Sequence, residues 1–121
     1  MTVQIQLING YKETTFPVVK LTKSRNGKTG TATFLFIQPH SLAFLNYQKT
    51  NINGMFLLWE QKKIITTDIK ILFKNGKPFL VKAIFIFKNA KEWFNFLNFM
   101  NYYSKETGLS FSEKKEITLE H

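Results

Sequence analysis

The chain has 121 residues, no cysteine and a net charge of +9, from 17 lysine and arginine residues against 8 aspartates and glutamates. This length suits a single domain, and the lack of cysteine excludes disulfides, zinc–thiolate sites and thiol nucleophiles. The longest apolar stretches are far shorter than the roughly 20 residues that a membrane-spanning helix needs. The positive charge favours an acidic protein, an anionic membrane surface or nucleic acid as the partner.

The first element is a strand. Val3, Ile5 and Leu7 alternate with two glutamines, which predicts a half-buried strand with a solvated polar face that ends at the Asn9-Gly10 turn. Because this strand pattern begins almost at the first residue, we expect no signal or transit peptide. The protein is therefore expected to work in the compartment where it is made.

A hairpin is predicted over residues 18–37. Two β-branched and aromatic runs flank Asn26-Gly27, a dipeptide that provides the positive backbone angles of a tight turn. Arg25, the only arginine of the chain, lies beside this turn. Its planar guanidinium can make a two-pronged contact with a carboxylate or a phosphate. The hairpin is either an ordinary solvated loop or a surface that holds a partner.

The middle of the chain is less regular. Residues 40–53 lack a clear period and leave room for one short helix around residues 41–47. Residues 55–59 form an almost continuously apolar run, which predicts a strand covered on both faces in the middle of the structure. A polar turn is expected at residues 61–63.

A second hairpin has the clearest local pattern. Its predicted arms are residues 64–74 and residues 78–88, and Asn75-Gly76 joins them. In the first arm apolar and charged residues alternate, as pleating requires. In the second arm both alternating sets are largely apolar, so both faces of that arm are expected to be at least partly covered.

The last element is a helix, predicted over residues 90–107. Asn89 is a favourable N-cap and Glu92 stands three residues later, as in a capping box, before a stripe of apolar residues. Gly108 is expected to be the left-handed C-terminal cap, with Leu109 folded back on the last turn.

These elements predict an α+β fold, with a mostly antiparallel, curled β-sheet of hairpins and one long C-terminal helix packed on it. We expect a single domain over residues 1–113 and a flexible tail over residues 114–121. Leu119, Glu120 and His121 are typical of an expression tag.

Few residues could carry catalysis. His40 follows a proline in a predicted loop and is expected to face solvent, while Asp68 is expected to be a cross-strand partner of a lysine. The helix cap already explains Glu92. We therefore expect no catalytic site, no metal site and no cofactor.

Two other kinds of binding remain open. Phe34 and Phe36 could stack nucleic acid bases, with Lys20 and Lys23 nearby, although aromatic residues at such positions more often belong to a core. An aromatic pocket between sheet and helix could instead hold a small ligand or a pigment. The alternative to a protein-binding role is thus a nucleic-acid-binding β-sheet protein.

Four segments of the chain carry a resemblance to a known family. They read LTKSRNGKTGTATF at residues 21–34, NGMFL at residues 53–57, FKNGKP at residues 73–78 and EWFNFLNFM at residues 92–100. Together, over residues 3–111, they resemble the Psb28 family of small photosystem II assembly proteins. This chain is more basic and richer in lysine and phenylalanine than typical members, which suggests a plastid genome or a cyanobacterium of low GC content.

The resemblance implies a protein without enzymatic activity. It implies transient binding to immature photosystem II, near the CP47 antenna protein and the D1 and D2 core subunits. The expected place is peripheral, at the stromal or cytoplasmic surface of the thylakoid membrane, and the expected state is a monomer or weak dimer with no nucleic acid bound.

The resemblance also implies a binding site. An exposed sheet edge could pair with a partner tail as an extra strand. The residues assigned to the partner-binding region are Lys23, Ser24, Arg25, Gly27, Gly30, Thr31 and Thr33. For Gly27 and Gly30, a role in turn geometry alone is an equally good interpretation.

Overall fold

The computed structural model describes residues 3–43 and 52–108, together with the backbone of residues 113–114. This part of the chain forms strands and one long helix, so the predicted α+β class is confirmed. The elements are Gln4–Ile8 (β1), Tyr11–Lys12 (β2), Val18–Lys23 (β3), Gly30–Ile37 (β4), Met55–Trp59 (β5), Lys62–Thr66 (β6), Ile69–Lys74 (β7), Lys77–Phe87 (β8), Ala90–Thr107 (α1) and Glu113–Lys114 (β9).

The strands divide between two sheets where the sequence predicted one. Sheet A has the order β2-β1-β5-β6, and sheet B has the order β7-β8-β4-β3-β9. The pairs are antiparallel except for the parallel pair of β3 with β9. Strand β5 lies inside sheet A, and its buried residues alternate with half-buried ones, in agreement with its predicted central position.

The chain changes sheet at Thr67 and Asp68. The predicted arm over residues 64–74 is therefore two strands, β6 in sheet A and β7 in sheet B. The Thr66 hydroxyl donates to the carbonyl of Ile84 at 2.6 Å, which fixes the crossing point. The expectation that Asp68 pairs with a lysine across a strand is wrong, because Asp68 lies in this connection and is exposed.

The tight turns follow the twist of the sheets. The Asn75-Gly76 turn is confirmed, with φ of 53° and 78° at its two residues, the left-handed pair that a two-residue hairpin favours. The turn between β5 and β6 has the same character at Glu60 and Gln61, where φ is 42° and 65°. It lies one residue earlier than the predicted turn over residues 61–63.

The helix has the predicted bounds and caps. The Asn89 side chain accepts a hydrogen bond from the Glu92 N–H at 2.9 Å, and the Glu92 carboxylate accepts one from the Lys88 N–H at 2.9 Å. Gly108 ends the helix with φ of 77° and donates its N–H to the Ser104 carbonyl. Leu109 lies outside the described residues.

Two other predictions fall at the limits of the described chain. Residues 42–43 are helical, and the rest of the short helix predicted over residues 41–47 lies outside the described residues. The backbone of Lys114 lies in β9, paired with Thr22 of β3. Lys114 is thus placed in sheet B and not in the predicted tail, while the prediction of one domain over residues 1–113 stays a prediction.

The core is aromatic and lies between the helix and the sheets. The Phe96 ring lies 4.8 Å from that of Phe87 and 6.1 Å from those of Phe34 and Phe85, measured between centroids. Burial of each such ring contributes on the order of 2–3 kcal/mol to stability. The fully buried aromatic side chains are Phe34, Phe36, Trp59, Trp93, Phe96 and Phe99.

Two hydrogen bonds attach the helix to sheet A. The Trp59 indole N–H donates to the Asn98 side-chain oxygen at 2.7 Å. The Tyr102 hydroxyl donates to the Glu60 carboxylate, and this bond raises the pKa of Tyr102. Both bonds lie beside the aromatic contact of Trp59 with Phe99, whose centroids are 5.4 Å apart.

Polar burial departs from the sequence expectation. Gln6 was expected on a solvated face but is only 8% exposed. Its side-chain oxygen accepts the N–H of Gly10 at 2.7 Å and its side-chain nitrogen donates to Gln4 at 2.9 Å. Gln6 therefore stabilises the turn after β1 from within.

Glu13 is a buried carboxylate that joins two distant loops. It is 6% exposed and accepts hydrogen bonds from the N–H groups of Thr15, His40 and Ser41 at 2.8, 2.9 and 2.9 Å, and from the Ser41 hydroxyl. The His40 ring is exposed, as expected, and bonds to the Thr14 hydroxyl. The carboxylate thus holds residues 39–41 against the chain that follows β2.

The surroundings of Glu13 shift two pKa values. Burial raises the pKa of Glu13, but the hydrogen bonds from Ser41 and Thr15 together outweigh it and hold the pKa below 4.5. Burial, with a smaller contribution from the Glu13 charge, raises the pKa of Tyr103 to about 12. Glu13 is therefore ionised at neutral pH.

Replacement of Glu13 tests this linkage. The native pKa lies below the unfolded value, so the stabilisation is complete above pH 4.5 and is lost as the pH falls through the native pKa. We expect Glu13→Gln to lower the free energy of unfolding by roughly 1–3 kcal/mol at neutral pH, because an amide cannot accept from all these donors. We expect it also to flatten the loss of stability below pH 4.5.

Urea unfolding at several pH values measures both effects. Glu106→Gln is the matched control, because Glu106 is an exposed carboxylate on α1. An unchanged acid dependence in Glu13→Gln would contradict the assigned role.

Candidate partner-binding surface

The predicted hairpin over residues 18–37 is confirmed as β3 and β4. Six register pairs join the strands, from Val18 with Leu35 to Lys23 with Gly30. On its other side β4 pairs along its whole length with β8. The hairpin is thus part of sheet B, with β4 in the interior and β3 towards the edge.

The loop of this hairpin spans residues 24–29 and is longer than a two-residue turn. The Ser24 N–H donates to the Thr29 carbonyl and the Gly27 N–H donates to the Ser24 carbonyl, each at 3.0 Å. The Asn26 side-chain oxygen accepts from the Ser24 hydroxyl at 2.6 Å and from the Lys28 N–H at 2.8 Å. These bonds give the loop a defined conformation before any partner binds.

The loop residues divide into two groups. Ser24 and Gly27 shape the loop, and Gly27 has φ of 70°, a backbone angle that other residues adopt only with strain. Lys23, at the end of β3, and the loop residues Arg25 and Lys28 supply the charge, and Arg25 and Lys28 are exposed. The loop therefore presents cations on a preorganised backbone.

Gly30 has a structural reason of its own. A Cβ atom at this position would lie 2.7 Å from the Thr22 carbonyl oxygen and 2.7–2.8 Å from Cζ3 and Cη2 of Trp93. Gly30 thus allows the buried indole of α1 to pack directly on the hairpin backbone. This favours the structural interpretation for Gly30.

Thr31 and Thr33 lie on the side of sheet B that faces away from α1. We call this side the outer face, and define it by the residues of β3, β4, β7 and β8 that alternate with the buried ones. They are Val18, Lys20, Thr22, Thr31, Thr33, Leu35, Ile37, Lys70, Leu72, Leu80, Lys82, Ile84 and Ile86.

The outer face is apolar and basic. Val18, Ile37, Leu72 and Ile86 are 52%, 53%, 49% and 65% exposed. The four long strands of sheet B contain lysines but neither aspartate nor glutamate. The sequence showed the two-sided apolar pattern of β8, but not that one side is open to solvent. Exposed apolar residues that share one face are typical of an interaction surface.

The aromatic residues do not favour the alternative functions. Phe34 and Phe36 are 0% exposed, so neither ring is available to stack on a nucleic acid base. Trp59 and Trp93 are also buried and contact Phe99 and Phe96. Their packing occupies the space between sheet and helix where a pigment or small ligand was considered.

The described part of the chain contains no group of three or more acidic, histidine or cysteine residues that could hold a metal ion. Within the same residues, no helix has the length and hydrophobicity to span a membrane. The features of this surface are a shaped basic loop, a sheet edge and an apolar face. Exposed edges and apolar faces of this kind are typical of proteins that bind another molecule.

Comparison with known proteins gives the family. The family description "Psb28 protein" matches residues 5–111. The photosystem II reaction center Psb28 protein of Guillardia theta is 43% identical over 109 residues, which cover 90% of this chain and 94% of that protein. The protein of the same name from Trichormus variabilis is 43% identical over 110 residues, 91% of this chain and 97% of that protein. The chain belongs to the Psb28 family.

The contact of Gly30 with Trp93 can be tested by a double-mutant cycle. We expect Gly30→Ala to cost about 1–3 kcal/mol of stability, because the added methyl group overpacks the site. Trp93→Phe removes the two indole atoms that the methyl group would meet, so it should cost less in the Gly30→Ala background than in the wild type.

Urea denaturation of the four proteins measures the cycle. Equal costs of Trp93→Phe in both backgrounds would show that the two residues do not interact.

Proposed function

We propose that the protein is a non-catalytic assembly factor that binds transiently to immature photosystem II. Membership of the Psb28 family supports this role, since the relatives carry photosystem II reaction center in their names. The proposed contacts are the CP47 antenna protein and the D1 and D2 core subunits. The proposed place is peripheral, on the stromal or cytoplasmic face of the thylakoid membrane.

The β3 edge of sheet B is the observation that carries the proposed binding mode. Within the described residues, the edge of β3 that lies away from β4 pairs only at Leu21 and Thr22, with the short parallel strand β9. Residues 18–20 have no strand partner on that side among the described residues. An extended partner segment adds here by backbone hydrogen bonds, and alternate side chains set its register. A longer pairing displaces β9.

The loop over residues 24–29 adds charge recognition at one end of this edge. Lys23, Arg25 and Lys28 lie together there, and Arg25 offers the bidentate geometry that suits a carboxylate. The hydrogen bonds of Ser24 and Asn26 hold the loop in place, so little entropy is lost when a partner binds. An acidic segment beside an extended tail is the partner that this arrangement fits.

The seven residues assigned from the sequence remain the proposed binding region, with different roles. Lys23 and Arg25 contact the partner directly, and Ser24 and Gly27 maintain the loop. Gly30 maintains the packing of Trp93. Thr31 and Thr33 present hydroxyl groups on the outer face beside Lys20.

A pull-down from solubilised thylakoids tests this site. We expect the wild-type protein to capture complexes that contain CP47. We expect the double variant Lys23→Ala/Arg25→Ala to capture these complexes at least roughly tenfold less than the wild type does, because a hydrogen bond to a charged group contributes about 1.5–3 kcal/mol. Capture is quantified by immunoblotting for CP47.

The matched control is Lys63→Ala/Lys91→Ala, which removes the same number of charges at exposed positions outside this hairpin. An equal loss of CP47 capture in both double variants would show that the effect depends on net charge and not on the loop. Capture of CP47 by both variants at the wild-type level would disprove the loop as the site. Absence of capture by the wild-type protein would disprove the assembly role.

A further inference from the structure

The hairpin of β7 and β8 contains more lysines and more exposed apolar residues than the other hairpin of sheet B. At its end, Leu72 and Phe73 are 49% and 63% exposed. Lys70, Lys74, Lys77 and Lys82 belong to the same two strands, which contain no acidic residue. The sequence features assigned to photosystem II binding lie in the other hairpin, so this one needs its own explanation.

Lysines oppose each other across this hairpin. Lys70 is the register partner of Lys82, and Lys74 is the register partner of Lys77. Like charges directly opposite each other destabilise a strand pair. The Lys74 ammonium lies 5.1 Å from the centroid of the Phe79 ring, which stabilises one of the four cations. Neighbouring anions would relieve the repulsion at the others.

Apolar side chains continue from this hairpin across the outer face. Leu72 is the register partner of Leu80, and Leu80 is that of Ile37. Lys70, Lys82, Leu35 and Val18 form the next row by the same registers. The nearest carboxylate by register is that of Asp68, at the start of β7, whose carbonyl accepts the Ile84 N–H. The pair of lysines on β7 and β8 thus lies beside a row of apolar residues, of which Leu72 and Ile37 are exposed.

We propose that the β7–β8 hairpin and the adjoining rows of the outer face bind the headgroup layer of a membrane that contains anionic lipids. Leu72, on the outer face, and Phe73, on the opposite side of the same strand, enter the boundary between headgroups and acyl chains at the end of the hairpin. Lysine stems cover the apolar surface while their ammonium groups reach the lipid anions. This deepens the peripheral membrane placement proposed above and is independent of the loop over residues 24–29.

A lipid surface fits these residues better than an acidic protein. The exposed side chains project from a hairpin that ends in a two-residue turn, Asn75-Gly76, and single aliphatic and aromatic groups enter a fluid headgroup layer without matching pockets. The charge is spread over four lysines, whose ammonium groups are point charges that suit mobile lipid anions. Arg25, whose guanidinium suits a planar carboxylate, lies in the other hairpin.

Co-sedimentation with vesicles tests the charge. The probes are vesicles of phosphatidylcholine with and without phosphatidylglycerol, and no photosystem II subunit is present. We expect binding only to the anionic vesicles. Lys70→Glu should weaken it by roughly 25-fold, since each unit of charge near such a surface contributes about fivefold and the substitution changes two units. Lys63→Glu on β6 is the control, at an exposed lysine of sheet A.

Stability separates a binding defect from a folding defect. Lys70→Glu places opposite charges across the β7–β8 pair, so its thermal midpoint should equal or exceed that of the wild type. Phe73→Ser should also weaken vesicle binding, and Phe94→Ser should not, although Phe94 on α1 is similarly exposed, at 60% against 63%. Loss of binding in a more stable protein can then be ascribed to the membrane contact.

Three outcomes would overturn the inference. The first is that the wild-type protein does not bind anionic vesicles, and the second is that Lys70→Glu and Lys63→Glu weaken vesicle binding equally. The third is that Lys70→Glu reduces only the capture of detergent-solubilised complexes, which would indicate an acidic protein partner. Failure of the vesicle assay leaves the pull-down prediction standing, and failure of the pull-down leaves the vesicle result standing.

Discussion

The aromatic face of α1 packs on the inner face of sheet B, and the rest of the structure depends on this contact. Phe96 meets three phenylalanines of β4 and β8, and Trp93 packs against Phe87 and the backbone of Gly30. Because Trp93 packs on the backbone at Gly30, the helix also contacts the hairpin where β3 ends and β4 begins.

This packing determines what is left for binding. The helix covers one face of sheet B, while the apolar residues of the outer face stay exposed. Among the described residues, β9 pairs with the edge of β3 at two positions. The core therefore leaves three parts of sheet B uncovered. They are the β3 edge proposed to pair with a partner strand, the charged loop, and the face proposed to contact the membrane. The charge on its four long strands is entirely positive.

Local patterns predicted the helix, its caps and the hairpins, because each depends on residues close in sequence. The change of sheet at Thr67 and Asp68 was missed, since an alternating pattern runs through it and the crossing is fixed by the distant carbonyl of Ile84. Burial of Glu13 was missed for the same reason, because its donors at His40 and Ser41 are more than 25 residues away. The proposed binding region was predicted from the loop sequence and the family resemblance, whereas the exposed apolar outer face could be found only from the tertiary structure.

In the proposed function, sheet B binds photosystem II assembly intermediates through the β3 edge and the loop over residues 24–29. Hydrogen–deuterium exchange of the protein, free and bound to a purified intermediate, tests it most directly. We predict that binding slows exchange at residues 18–20 and in the loop, while exchange in β5 and β6 of sheet A stays unchanged. Protection confined to sheet A, or to the exposed side of α1, would contradict it.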